Sequence, residues 1–184
     1  MSHLSRNSDK RPLSELRVLE ISDGVAGAYA GRLLGDLGAR VIKVENKTGD
    51  GLRTLGPFPP TAPGDIEAGG LHLALDAGKE SIVIDFQQSV DVKQFDRFAS
   101  AVDIVLLSSS TKLDRSLLEQ QMPLQDRNPE LVVGLHTPFG IDGPYSDRSS
   151  SEIVDYAMGG YMYFSGDPER EPLLAPGFQG EFHA

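Results

Sequence analysis

The sequence contains no cysteine. That excludes a disulfide scaffold, a thiolate nucleophile and any cysteine-based metal site, and it suits a reducing compartment. Nor is there an apolar run approaching the ~20 residues of a membrane span, so a transmembrane helix is not expected. Residues Met1 to Arg11 lack the apolar centre of a signal peptide and read as a flexible tail on a cytoplasmic protein. Basic side chains are in the minority, 17 against 27 acidic ones, for a net charge of −10. An acidic surface argues against general attraction to nucleic acid or anionic membrane, although a local basic pocket could still hold a phosphate. What is present is ordinary for a globular protein. The 184 residues, 39 % hydrophobic and 24 % charged, suffice for one domain with a substantial core.

The most structured stretch runs from Arg17 to Glu45. Val18, Leu19 and Ile21 form a short apolar strand without clean alternation, as expected where both faces are covered. Gly24 and Gly27 punctuate a turn. A helix follows with Ala26, Ala30, Leu33, Leu34 and Leu37 on one side and Gly38 as its carboxyl-terminal cap. Gly31 and Gly35 are poor helix formers, but their small size would let the helix lie close to a sheet. Val41, Ile42 and Val44 make a second strand, which completes a βαβ unit.

From Asn46 to about Gly70 the chain is a long loop rich in Gly and Pro, the kind that is usually functional or mobile. Ser81 to Phe86 reads as a strand, and Ser89 as the cap of a helix carrying Val92, Phe95, Phe98, Ala99 and Val102. Asp103 to Leu107 is a strand, Leu113 to Gln121 a helix and Leu131 to Leu135 a further strand. The alternation predicts a Rossmann-like α/β domain over residues 12–184, a parallel sheet with helices on both faces and right-handed crossovers. The loop Thr137 to Arg148 follows the last strand at its carboxyl end, where α/β proteins bind ligands. The sequence then predicts a helix from about Glu152 to Phe164, apolar around most of its circumference and therefore buried or pressed on a partner. Gly159 and Gly160 suggest a close crossing. Pro172 to Ala184 reads as extended.

The opening unit invites a dinucleotide site with Glu45, about 20 residues beyond the turn, on a ribose hydroxyl. The required Gly-x-Gly-x-x-Gly is missing; the chain has Gly24-x-x-Gly27-x-x-x-Gly31. These glycines also fit a purely structural role in tight packing, and the helix start could accept a phosphate or carboxylate. Lys47, Arg53, Lys79 and Arg115 stand near loop ends, where any could meet a phosphate, but each alone reads more readily as a solvated surface charge. His72 and His136 lack metal-ligand spacing, so no metal site is expected. No nucleophile elbow or Ser-His-Asp order is present.

Four segments together resemble the class III CoA-transferase family, which includes formyl-CoA and carnitine CoA-transferases and the α-methylacyl-CoA racemases. They are Pro12 to Ile21, Ala26-Gly-Ala-Tyr-Ala30, Leu33 to Glu45 and Phe139-Gly-Ile-Asp-Gly-Pro-Tyr145. Lys79-Glu-Ser-Ile-Val-Ile-Asp85 is similar to the family's Lys-Arg-Ser-Ile-Thr-Leu-Asp segment. Members are about twice this length and form dimers of interlocked rings, so the chain resembles an amino-terminal half. The resemblance implies acyl-CoA and carboxylic-acid substrates, coenzyme A as the group carried, and a homodimer in the full-length form. In the transferases an aspartate of a Gly-Asp segment attacks the thioester, giving an anhydride that CoA thiolate and then the acceptor acid resolve, which is covalent carboxylate catalysis.

The matching residues here are Gly180-Glu181. Glutamate carries the same nucleophilic group on a stem one methylene longer, and misplacement by about 1 Å can cost ~100-fold. Glu181 is therefore readable as a working variant, a lapsed site or a plain surface acid. By the same resemblance Val25, Ala26 and Gly27 in the first turn, with Phe139 and Gly140 in the late loop, would shape the thioester end. Lys47, Arg53 and Lys79 would meet the CoA phosphates. The sequence departs from the family at Ser108 to Lys112, at Glu80 and at Ala28, positions that commonly help hold CoA. Ser151 stands where the racemases carry histidine, which argues against racemisation. The expected activity is acyl-CoA:carboxylate CoA transfer. The alternative is a non-catalytic CoA-binding or assembly half of a larger protein.

Overall fold

The structure, a computed structural model, describes residues 11–108, 124 and 128–183. The expected tail, save Arg11, and the expected helix from Leu113 to Gln121 with Arg115 lie outside the described residues. Arg11 itself donates from Nη1 to the Gly35 carbonyl at 3.4 Å.

Five strands form one parallel sheet: β1 (Arg17–Ser22), β2 (Arg40–Glu45), β3 (Glu80–Val83), β4 (Ile104–Ser108) and β5 (Val132–His136). Their spatial order is β3-β2-β1-β4-β5. The helices are α1 (Val25–Asp36), α2 (Gly70–Leu75), α3 (Ser89–Ala99), α4 (Glu152–Met158) and α5 (Gln179–Phe182). Single 3-10 turns occupy Gly51–Thr54 and Tyr161–Phe164. Among the described residues no helix is long and apolar enough to cross a membrane.

Strand periodicity sorts side chains onto two faces. Leu19, Ile42, Val44, Val105 and Leu107 pack with Phe95 and Ala99 of α3. Val18 and Val41 pack on the other face with Leu34 of α1 and with Ile104 and Leu106. The sheet is thus covered on both sides, which explains why its strands read as apolar runs without alternation.

Four local expectations change. Helix α1 buries Val25, Ala26, Gly27, Ala28 and Gly31 and of its expected leucine stripe packs Leu34 on the sheet, while Leu33 and Leu37 are about half exposed (46 % and 48 %). The close approach that small side chains permit outweighs the leucine stripe. Helix α3 begins on Ser89, and its cap is Gln88. The expected helix from Glu152 to Phe164 breaks at Gly159-Gly160, where Gly160 takes a left-handed φ of 78° that ends a helix readily. Only Tyr156 of α4 is buried, and Tyr163 and Phe164 are 88 % and 85 % exposed. The end of the chain carries the one-turn helix α5 in place of a wholly extended strand.

Candidate functional site

The strand order reverses between β1 and β4, because the chain moves from β1 outward to β2 and β3 and then returns to β4 on the other side. The carboxyl ends at such a switch point form the usual ligand crevice of α/β folds. Ser22, Ser108 and His136 close the three strands there in register. Ser108 Oγ lies 3.1 Å from His136 Nδ1, and the Asp23 amide donates to the Ser108 carbonyl at 3.3 Å. Helix α1 starts directly above. A Cβ on Gly27 would come within 2.5 Å of Ser22 Cβ and 2.8 Å of Ser108 Cβ, so only glycine lets the helix sit this low.

Helix α1 opens without a side-chain cap of its own: Gly24 occupies the cap position, and no acid lies in the first turn. The first amides of a helix need acceptors from elsewhere. Glu181 supplies one from 156 residues away. Its Oε2 accepts from the Val25 amide at 2.5 Å and from the Ala26 amide at 3.3 Å. Gly24 has φ 97° and ψ −173°, a conformation essentially confined to glycine, and a Cβ there would stand 2.8 Å from Glu181 Oε2. The carboxylate therefore faces the positive end of the α1 dipole at close range.

Two aromatic side chains dock the segment that carries Glu181. Phe178 and Phe182 pack against Val25, Ala28, Leu52 and Leu75, and the Phe182 ring meets Tyr29 edge-on at 5.0 Å. Phe178 holds a left-handed φ of 60°, strained for a residue with a Cβ, and this turn leads into α5. Gly180 donates its amide to Glu152 Oε1 at 3.0 Å. The Tyr156 ring lies so close that a Cβ on Gly180 would come within 2.7 Å of it.

Beneath α1 lies a buried charged layer. Glu20 and Lys43 are paired across β1 and β2, both on the α1 face, and are 0 % and 2 % exposed. Lys43 Nζ stands 3.4 Å from Glu20 Oε1 and 2.9 Å from carboxylate oxygens of both Asp50 and Asp76. Burial alone would push the Lys43 ammonium down, but Glu20, Asp50 and Asp76 outweigh it and hold its pKa above the ordinary range. Lys79 Nζ bonds the Ala28 carbonyl at 2.8 Å and Asp76 at 2.9 Å. It also sits 2.7 Å from Glu20 Oε2 as an ion pair without hydrogen-bond alignment. Ser22 Oγ donates to Glu20 Oε1 at 2.6 Å, and His72 Nδ1 lies 2.9 Å from Asp76 Oδ2. Burial pushes Asp76 up, yet Lys43 and Lys79 bring it below the usual carboxylate range. Gly31 roofs this layer: its Cβ would fall 2.0 Å from Glu20 Oε2.

Of the residues expected at the site, the structure brings Glu181, Val25 and Ala26 into contact, with Gly27 on the same first turn. The cations are otherwise engaged. Lys79 belongs to the buried layer. Arg53 bonds Glu45 through Nε (2.7 Å) and Nη2 (2.9 Å) and Glu67 through Nη1 (2.7 Å). Lys47 is two-thirds exposed and pairs with Asp85 at 2.9 Å. Glu45, the acid expected on a ribose in the dinucleotide reading, takes bonds from Arg53, Ser81 and the Asp50 amide. They overcome its burial and lower its pKa to about 2. Phe139 and Gly140 lie in the loop after β5, where the Phe139 and Tyr145 rings are 6.0 Å apart and Arg148 stacks 4.8 Å from Tyr145. Gly140 takes a φ of 81° there. Among the described residues no group of three or more His, Asp or Glu side chains could hold a metal ion.

The buried layer and Glu152 were missed by sequence reasoning. Glu20 and Lys43 were visible only as opposite charges interrupting neighbouring apolar strands beside a glycine-bearing helix. Glu152 stood in the sequence only as the start of an expected helix.

A family model described as CoA-transferase family III matches residues 13–180. A succinate–glutarate CoA-transferase of Agrobacterium fabrum is 35 % identical over 169 residues, 90 % of this chain and 42 % of that protein. A probable fatty acyl-CoA transferase of Mycobacterium tuberculosis is 32 % identical over 90 % of this chain and 41 % of its own length. The crystal structure of a CAIB/BAIF family protein from Brucella suis superposes with a TM-score of 0.80 at 31 % identity, covering 92 % of this chain and 45 % of that one. The chain thus spans about two-fifths of the length of the curated relatives it matches.

Proposed function

The chain belongs to CoA-transferase family III, and on that basis we propose that it moves CoA between an acyl-CoA thioester and a carboxylic acid, with Glu181 as the covalent nucleophile. The observation that carries this reading is the Glu181 carboxylate lodged on the Val25 and Ala26 amides at the carboxyl end of β1. With Oε2 held by the amides, Oε1 attacks the thioester carbonyl. The C–S bond breaks, CoA leaves as thiolate, and an acyl–glutamyl anhydride forms. The thiolate then attacks Glu181 Cδ, releasing the donor acid as carboxylate and leaving a glutamyl-CoA thioester. During that attack negative charge develops on Oε2, which already rests on two N–H donors. Preorganised donors of this kind are worth roughly 10²- to 10³-fold each. The acceptor carboxylate reverses the two steps and departs as the new acyl-CoA.

Lys47 is the exposed cation we carry forward as a contact for the CoA phosphates; Arg53 and Lys79 are committed to the fold. A dicarboxylic acyl-CoA is the first donor to test, because the Agrobacterium relative is named for succinate and glutarate. The homodimer implied by the resemblance belongs to the same proposal. The test is transfer of CoA from succinyl-CoA to glutarate by the purified full-length protein. Wild type should turn over, and Glu181→Gln should lose at least roughly 10³-fold, as removal of a covalent nucleophile does.

Glutamate at Gly180-Glu181, where the resemblance implies aspartate, favours one second reading, a non-catalytic CoA-binding or assembly half of a larger CoA-transferase-like protein. Under that reading CoA binds normally and the Glu181→Gln protein transfers as fast as wild type.

A further inference from the structure

We propose that Glu152 is a positioning residue that sets the backbone of Glu181, an inference that rests on Glu181 being the nucleophile. A carboxylate on a glutamate stem has three rotatable side-chain bonds, so its aim depends on how firmly its Cα is held. The α1 amides fix only the far end of that side chain. The near end is fixed by α4.

Glu152 and Tyr156 are four residues apart and therefore share one face of α4. Both act on Gly180, the neighbour of Glu181. Glu152 Oε1 takes the Gly180 amide at 3.0 Å, satisfying one of the amides that the start of α5 leaves without an intrahelical partner. Tyr156 covers the Gly180 Cα, and a Cβ there would lie 2.7 Å from Tyr156 Cε2 and 3.4 Å from Glu152 Cγ. Tyr156 is itself buried and backed by the Tyr161 ring, edge-on at 4.8 Å. Gly180 is thus gripped from two sides by a single helix face, and the absence of its side chain lets that grip close. The left-handed turn at Phe178 delivers the segment into it. Glu152 touches neither thioester nor acceptor in this account; it acts through the peptide that joins residues 180 and 181.

The test compares Glu152→Ala and Glu152→Gln in the full-length protein, because a glutamine Oε1 still accepts from Gly180 whereas alanine cannot. Two readouts are taken: amide hydrogen exchange of residues 24–27 and 179–182, and kcat against KM for the acyl-CoA. Expected for Glu152→Ala are faster exchange in both segments, kcat down roughly 10- to 100-fold and KM little changed, with the conservative variant restoring exchange and most of kcat. Wild-type exchange and kcat in Glu152→Ala would overturn the inference and leave Glu181 as nucleophile. So would a Glu152→Gln protein as impaired as the alanine variant. A wild type that never modifies Glu181 would overturn the nucleophile and the positioning role together. Should Glu152→Ala not fold, Gly180→Ala takes its place: a lower kcat, partly recovered by adding Tyr156→Ala, supports the grip, and an unchanged kcat refutes it.

Discussion

Gly24 and Glu181 constrain each other at the scale of single residues. The backbone at Gly24 lies in a region that side-chain-bearing residues avoid at a cost of about 1–3 kcal/mol, and its missing Cβ leaves the space in which Glu181 Oε2 sits. Gly24→Ala is therefore expected to lower unfolding free energy by about 1–3 kcal/mol in urea melts. Pairing it with Glu181→Ala should recover only the steric share, since the φ penalty remains. Glu45 gives a pH signature. Its folded pKa of about 2 lies below its ordinary 4.5, so its contribution is complete above about pH 4.5 and is lost as pH falls toward 2. That contribution is about 3 kcal/mol. Urea unfolding measured across this window should show a falling stability that flattens in Glu45→Gln; an equal slope in the variant would refute the assignment. The nucleophile candidate was legible from the Gly180-Glu181 pair. Val25 and Ala26 were legible as site residues in the first turn, but their direct contact with Glu181 was not, because 156 and 155 residues separate them from it in sequence.

At the scale of elements, α1 and the layer beneath it form one unit. The small face of the helix lies on Ser22, Ser108 and Glu20, and Lys79 ties its Ala28 carbonyl to the buried carboxylates. Removing one partner from a buried ionic cluster strands the others, at about 3–5 kcal/mol. Lys43→Met is expected to destabilise by that amount in denaturant melts, far beyond the effect of a surface lysine. A loss under about 1 kcal/mol would mean that water or rearrangement compensates Glu20, Asp50 and Asp76. The strands and their parallel arrangement were readable because apolar runs alternating with helical spacing admit few other architectures. The helix faces were less so. The leucines of α1 outweigh its glycines in hydrophobicity, yet close approach decided the buried side. In the segment after Ser151 the Gly159-Gly160 pair broke a helix that apolar content alone would have continued.

For the whole molecule, the distinction that matters is between a CoA protein and a dinucleotide protein built on the same strand order. The sheet and its switch point serve either. The Gly24 to Gly31 spacing and the capture of Glu45 by Arg53 and Ser81 speak against the dinucleotide. CoA at about 100-fold above its dissociation constant should raise the melting temperature of the full-length protein by roughly 3 °C, and NAD should leave it unchanged. Stabilisation by NAD alone would reverse that conclusion. The most direct measurement is mass spectrometry of the full-length protein after incubation with succinyl-CoA and hydroxylamine. Either the anhydride or the glutamyl-CoA thioester would be intercepted by hydroxylamine at the Glu181 carbonyl, so the account predicts a hydroxamate on the peptide containing Glu181, absent in Glu181→Gln. An unmodified Glu181 in protein that binds CoA and transfers it would contradict the account.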